Sequence, residues 1–433
     1  MKPPLKGLWN HPDFVKLWIG QTVSDLGNGI TGIALPLTAV LILDATPAQM
    51  GILSALEGIA ALLVGLFAGV WADRLRRRPI LIVTDLGRAA TLLSVPLAAF
   101  FGLLHIEQLY LVAALTGVLT VFFHVADQSF LPSLVHQEDL IEGNSKLGAS
   151  ASIAEIGGPA LAGPLVQVVT APIAILFDVC SFLISACCVW RIRAVEPAPQ
   201  ATKQQSFRHA LTEGLRAIVA HPLLRVLAGS AFLFAFFGNF FAALYPVYVI
   251  RTIGAPPVML GFLVGAGGVG ALAGAFLEQR VVRRFGLGKT LAGGLLISAA
   301  IGLVVVLLAR GSVIFAVALL FFSQLVGDVA IALYQMSEVS LRQSVIPARM
   351  LGRVNASMQV LTRGLGASGA LLGGALGQQI GIRPTLLIAE VGMLIAAVWL
   401  FCSPVRRAQS PDQPMAAPGA EAYEALQQRS ILN

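Results

Sequence analysis

The sequence predicts an all-α integral membrane protein with twelve transmembrane helices in two six-helix repeats. Composition, apolar run length and an internal repeat carry that prediction. Of 433 residues, 57% are hydrophobic and 12% charged, and the mean hydropathy is +0.82. A water-soluble chain of this size has no use for so much apolar surface, because its core stops growing and it divides into domains. A helix needs about 20 apolar residues to cross the hydrocarbon. Twelve such runs are read, at 17–43, 48–71, 80–102, 108–130, 145–169, 172–190, 223–250, 257–281, 289–309, 312–336, 355–379 and 383–402.

The repeat sets the organisation. His11-Pro12 recurs as His221-Pro222, Pro36 as Pro246, Gly51 as Gly261 and Gly58 as Gly268, each 210 residues on. Asn144 recurs as Asn355, Gly158 as Gly369, Gly163 as Gly374 and Gln167 as Gln378, each 211 on. Six helices per copy leave both copies in the same orientation, as in parallel repeats about a membrane-normal axis. The expected domains are a six-helix bundle over 1–192, a cytoplasmic linker over 193–221, a second bundle over 222–402 and a cytoplasmic tail over 403–433.

The net charge of +7 does not indicate nucleic acid. The cations fall almost entirely beside one set of alternate loops, whereas a nucleic-acid protein concentrates them on one exposed face. Arg251, Arg310 and Arg383 fall on the other side, and Arg88 and Arg363 lie within helices. This positive-inside pattern puts both termini in the cytoplasm. Basic segments there meet anionic lipid and call for no protein partner; a monomer is expected. The first apolar run is too long for a cleaved signal and reads as a retained helix. Cys180, Cys187, Cys188 and Cys402 lack metal-ligand spacing and read as apolar packing residues. No metal and no cofactor are expected.

Helix 1 carries Gln21, Ser24, Asp25 and Asn28, with Gln21, Asp25 and Asn28 on one face. Lipid exposure of Asp is expensive, so this stripe points to the bundle interior. Helix 2 carries Glu57. Between helices 2 and 3 lies Gly69-Val-Trp-Ala-Asp73-Arg74-Leu-Arg76-Arg77-Arg78-Pro79, a tight basic turn of cytoplasmic hairpin type. This G-x-x-x-D-R-x-x-R-R pattern resembles the helix 2–3 signature of the major facilitator superfamily of secondary transporters, with Arg76 in place of the usual Gly. The resemblance implies the facilitator fold. It also implies a gating charge relay of Asp73, Arg74, Arg77 and Asp127, headed by Gly69, that holds the outward-facing state.

Helix 3 opens with Asp85 and Arg88, close enough to pair at i, i+3. Helix 4 holds His124 and Asp127. Helix 5 contains Glu155-Ile-Gly157-Gly158-Pro159-Ala-Leu-Ala-Gly163-Pro164. Its small residues allow close helix approach, and its prolines remove helical donors. Gly158, Pro159 and Gly163 form a helix-bend motif that partly resembles the Gly-Pro signature of facilitator antiporters; close packing is the compatible plain reading. In the linker, Phe207, Leu211, Leu215 and Ile218 recur at helical spacing, as in an amphipathic helix on the inner membrane surface. Helix 7 is the repeat counterpart of helix 1, so Asn239 and Tyr245 join Gln21 and Asn28 as candidate cavity-lining residues. Arg283 stands where the first copy has Asp73. Helix 10 carries Asp328, helix 11 Arg363, and helix 12 Glu390.

A carboxylate at the bilayer centre costs about 2.5–3.5 kcal/mol on insertion scales. The cost falls on its charged form, which makes such a group a proton carrier. Asp25, Glu155 and Asp328 are the candidate coupling residues, ahead of Glu57 and Asp178. No cluster has the character of a sodium site or of an enzyme's catalytic geometry.

Within the superfamily, the chain is most similar to the branch of enterobactin exporters and macrolide efflux proteins. The similarity rests on Gly20-Gln-Thr-Val-Ser24-Asp-Leu-Gly27, Ala34-Leu-Pro36, Ala72-Asp-Arg74, Gly158-Pro-Ala-Leu-Ala-Gly163, Glu213-Gly-Leu-Arg216, His221-Pro-Leu-Leu-Arg225 and Leu351-Gly-Arg-Val354. That branch often has Asp at the position of Asn28, which leaves Asp25 as its substitute. The resemblance implies proton-driven export of a drug, macrolide or siderophore across the bacterial inner membrane. A uniporter or importer of a small metabolite, and a non-transporting receptor of the same fold, are the alternatives.

Overall fold

The structure, a computed structural model, describes residues 7–72, 76–194 and 207–407. Its helices are α1 (Pro12–Leu41), α2 (Pro47–Ala72), α3 (Arg77–Phe100), α4 (Ile106–Leu134), α5 (Leu140–Val169), α6 (Ala171–Trp190) and α7 (Phe207–Ala220). They continue as α8 (Pro222–Val247), α9 (Pro257–Phe285), α10 (Leu287–Leu308), α11 (Val313–Val345), α12 (Ala348–Gln359), α13 (Ala367–Ile380) and α14 (Ile382–Cys402). Among the described residues there is no strand. Among them, nine helical segments are long and apolar enough to cross a membrane.

Local chemistry sets several boundaries. At the start of α1, the His11 side chain accepts a hydrogen bond from Phe14 N at 3.1 Å, and Pro12 occupies the first turn, where its missing donor costs nothing. Ser312 caps α11 in the same way, accepting from Phe315 N at 3.2 Å. Gly286 and Gly381 precede α10 and α14 with φ of 84° and 92°, a region open to glycine at little cost.

Two expected single helices are broken. The run at 223–250 ends in a π-helical turn over Tyr248–Thr252, just after Pro246 removes a helical donor. The run at 355–379 is divided into α12, a π-helical turn over Val360–Leu365, and α13. The division falls where the glycine-rich stretch begins, and glycine and π-bulges are the common causes of helix interruption.

The chain forms two compact units. The first comprises Met1–Gln204 with Ala243–Gly268, the second Gln205–Ala242 with Val269–Asn433. In the first, α1 packs on α4, α5 and α6, α3 on α4 and α6, and α2 on α4. Its core includes Phe14, Leu17, Leu81, Phe123, Phe130 and Ile192. In the second, α10 packs on α11 and α14, around Leu227, Leu291, Leu295, Tyr334 and Leu400.

The linker helix belongs to the second unit. Rather than only covering a membrane surface, α7 packs on α12: Ser357 Oγ donates to Leu211 O at 3.2 Å, and Arg353 pairs with Glu213 at 2.5 Å. Ala217 and Ile218 are buried in that unit's core. The cysteines also differ from expectation. Cys180, Cys187 and Cys402 are exposed and Cys188 is partly so. An apolar residue on a membrane protein need not turn inward, because lipid is as apolar as the core.

Candidate functional site

The first unit contains a buried polar cluster built by α1, α3, α4 and α6. Its centre is Arg88, 1% exposed, which pairs with Asp85 one turn earlier on α3. Phe123 of α4 and Phe182 of α6 lie on the guanidinium, with ring centroids 4.3 and 4.1 Å from its carbon. Such stacking holds a desolvated cation by the ring quadrupoles. Two further carboxylates act electrostatically on Arg88: Asp25 from α1 and Asp178 from α6. Asp178 is 1% exposed and accepts a hydrogen bond from Ser181 Oγ at 2.8 Å. Gly27 on α1 leaves the space that Asp178 and Ser181 fill; a methyl group there would collide with both.

The α1 stripe joins this cluster. Gln21 Nε2 donates to Asp127 Oδ1 on α4, and Asp25 lies close enough to act on Asp127. Asp127 lies about two turns inside the C-terminal end of α4. Asp25, Gln21 and Asn28 are partly exposed, while Ser24 is buried. The cluster thus runs from the part-open face of α1 to the closed Asp85–Arg88–Asp178 interior.

The other expected residues fall elsewhere. Glu155 on α5 is exposed. Asp328 on α11 and Asn239 on α8 are partly buried in the second unit, where Asn239 Nδ2 donates to Ala235 O at 2.7 Å. Tyr245 is buried in the first unit. Gly69 falls within α2, Arg77 opens α3, and Asp73 and Arg74 lie outside the described residues. The bend motif is a contact surface. A Cβ on Gly163 would lie 2.7 Å from Val258 O on α9. Pro159 and Pro164 both remain inside α5.

The i, i+3 spacing of Asp85 and Arg88 shows the pair but not that Arg88 is the cluster's centre. The aromatic partners Phe123 and Phe182 come from distant runs, and no local pattern marks them. Among the described residues, no group of three or more His, Cys, Asp or Glu side chains could hold a metal ion.

A family model described as transmembrane secretion effector matches residues 7–430. The chain belongs to that family of major facilitator transporters. This transporter is similar along nearly its whole length to several curated proteins. It is 26% identical to the MFS-type transporter YfiS of Bacillus subtilis, over 90% of this chain and 93% of that protein. It is 26% identical to the multidrug efflux pump Tap of Mycolicibacterium fortuitum, over 86% and 91%. It is 25% identical to the enterobactin exporter EntS of Escherichia coli O157:H7, over 95% and 97%. Among solved structures, a point mutant of the nucleoside transporter NupG superposes with a TM-score of 0.77 at 14% identity, over 90% of this chain and 99% of that one. A bacterial homologue of the iron transporter ferroportin gives 0.73 at 19%, over 90% and 98%. At these identities the structural likeness establishes the fold. The chain is a multi-pass membrane transporter and not an enzyme.

Proposed function

We propose that this transporter exports an amphipathic small molecule, such as a drug, macrolide or siderophore, across the bacterial inner membrane in exchange for protons. The buried cluster of the first unit carries the reading. Ionisable groups inside a membrane bundle are costly, and their default use is an ion or proton pathway. Asp25 is the foremost coupling residue, because it links the part-open α1 stripe to Asp127 and Arg88. Glu155 and Asp328 are the further candidates. Gln21, Asn28, Asn239 and Tyr245 are candidate substrate contacts; none of them is charged, which suits an amphipathic substrate.

The likeness to Tap, a multidrug efflux pump, and EntS, an enterobactin exporter, supports the outward direction. Both termini are proposed to be cytoplasmic, on the distribution of Lys and Arg. Two six-helix halves, 1–192 and 222–402, are proposed to alternate in access, with Asp73, Arg74, Arg77 and Asp127 as the gating relay and the protein acting as a monomer. Uniport or import of a metabolite is the competing reading; a nucleoside transporter is among the similar folds.

Everted membrane vesicles test the proposal. In vesicles energised by respiration, a transported compound should dissipate the pH gradient, and an uncoupler should abolish its accumulation. Accumulation to no more than equilibrium, unaffected by uncoupler, favours the uniporter.

A further inference from the structure

At one end of the first unit, the start of α1, the start of α3 and the end of α6 enclose an open pocket of about 680 Å³. Lys16, Arg78, Arg191 and Arg193 line it, with Asp13 as the one carboxylate among the lining residues. Asp13 is already engaged: Lys16 Nζ lies 2.7 Å from its Oδ1, and Arg193 N and Ala194 N donate to its Oδ2 at 3.2 and 3.0 Å. The lining therefore carries an excess of positive charge even after the Lys16–Asp13 pair is set aside.

The pocket is built, not a chance gathering of surface cations. Arg78 Nε donates to Val189 O at 3.2 Å, and its Nη2 donates to Trp190 O. Lys16 Nζ donates to Arg191 O at 2.9 Å. These bonds satisfy the last carbonyls of α6, where the helix dipole also favours cations. Ile192, 1% exposed, pins the chain between the exposed side chains of Arg191 and Arg193. Trp190, 66% exposed, ends an apolar span and flanks the pocket. Trp at a span terminus marks the headgroup level of a bilayer. Val83, on the next turns of α3, is 65% exposed and apolar. Guanidinium groups bind phosphate oxygens in paired hydrogen bonds.

We propose that this pocket binds the phosphodiester headgroup of an anionic phospholipid of the inner leaflet. The headgroup occupies the space between Arg78, Arg191 and Arg193, the indole of Trp190 lies along the glycerol region, and the acyl chains run down the apolar faces of α3 and α6. The site is independent of which compound is transported and of proton coupling.

The test is native mass spectrometry of the full, delipidated protein titrated with phosphatidylglycerol, phosphatidylcholine or inorganic phosphate. Wild type should retain phosphatidylglycerol in preference to phosphatidylcholine. R191Q/R193Q removes two exposed cations and should weaken phosphatidylglycerol about thirty-fold, from the typical contribution of a basic residue near an anionic surface. R310Q, at an exposed cation of the opposite loops, should leave it unchanged. Should the double variant fail to fold, R193E alone reverses one exposed charge and should also lower retention. Equal retention of the two lipids, or undiminished binding by the variants, overturns the proposal. Displacement of bound lipid by an equal concentration of inorganic phosphate also overturns it, and assigns the pocket to a soluble anion.

Discussion

Gly29 of α1 and Gly158 of α5 meet backbone to backbone. A Cβ built on Gly158 would lie 2.7 Å from Gly29 Cα and 3.0 Å from Leu26 O. A Cβ on Gly29 would lie 2.9 Å from Gly158 Cα. The contact sets how closely the polar stripe of α1 is held within the first unit. Because both neighbours are backbone, neither can turn aside. Gly158→Ala should therefore destabilise by about 1–3 kcal/mol, the usual cost of overpacking. Gly32→Ala, also on α1 but with open space around it, should be neutral or gain up to about 1 kcal/mol from helix propensity. Thermal unfolding of the two purified variants in one detergent checks the contrast.

Arg88 should tolerate replacement together with Asp85 better than replacement alone. Arg88→Met leaves Asp85 buried without its cation, which costs about 3–5 kcal/mol. Asp85→Leu combined with Arg88→Met removes that pair's charges and should recover the part of the loss that Asp85 causes, while Asp178 stays without its cation. Unfolding of the single and double variants measures the recovery. Transport by the stable double variant then reports on the charges themselves, free of folding; the proposed role of the cluster requires it to stay impaired.

On the other side of the first unit, Arg251 holds the end of α1. Its guanidinium donates to Ala45 O at 2.7 Å and Val40 O at 3.0 Å, and lies 2.7 Å from Asp44 Oδ1. Asp44 is 94% exposed, so the ion pair is worth about 0–1 kcal/mol. The carbonyl bonds matter more, since a charged donor contributes about 1.5–3 kcal/mol per bond. Asp44→Ala should thus shift the unfolding temperature little, and Arg251→Ala clearly more. Equal shifts would show the ion pair to dominate.

His221, at the bend between α7 and α8, supplies a pH dependence outside the spans. Burial pushes its imidazole below the ordinary value of 6.5. The unfolded chain therefore takes up a proton first as pH falls. The contribution of the neutral ring is complete above pH 6.5 and is lost as pH drops through the lower folded value. Wild type should lose unfolding temperature between pH 7 and pH 5, and His221→Gln should lose less. Matching curves would discount the histidine.

Much of this was legible in the sequence. Run length announced a helical membrane chain, because it follows from bilayer thickness. The family was legible in the hairpin from Gly69 to Pro79. The Gln21–Asp25 stripe is a period-3.6 pattern, and the structure does bring it to Asp127. What escaped was set by contacts between distant runs. Phe123 and Phe182 become partners of Arg88 only when α3 lies between α4 and α6. The π-turn at Val360–Leu365 falls where the glycine-rich stretch begins, a break that mean hydropathy does not register. Glu155 stands among the expected coupling acids for its place beside the Gly-Pro bend, one turn from Gly158; on α5 its side chain is exposed.

Proton exchange through the first unit is the central proposed property of this transporter. Its most direct test is proton release from proteoliposomes of purified protein under an imposed pH gradient, on addition of macrolides, dyes or catecholate siderophores. Wild type should move protons in step with one compound class, and Asp25→Asn should still fold but abolish the movement. Compound flux through wild type with no accompanying protons, or undiminished proton flux in Asp25→Asn, would contradict the account.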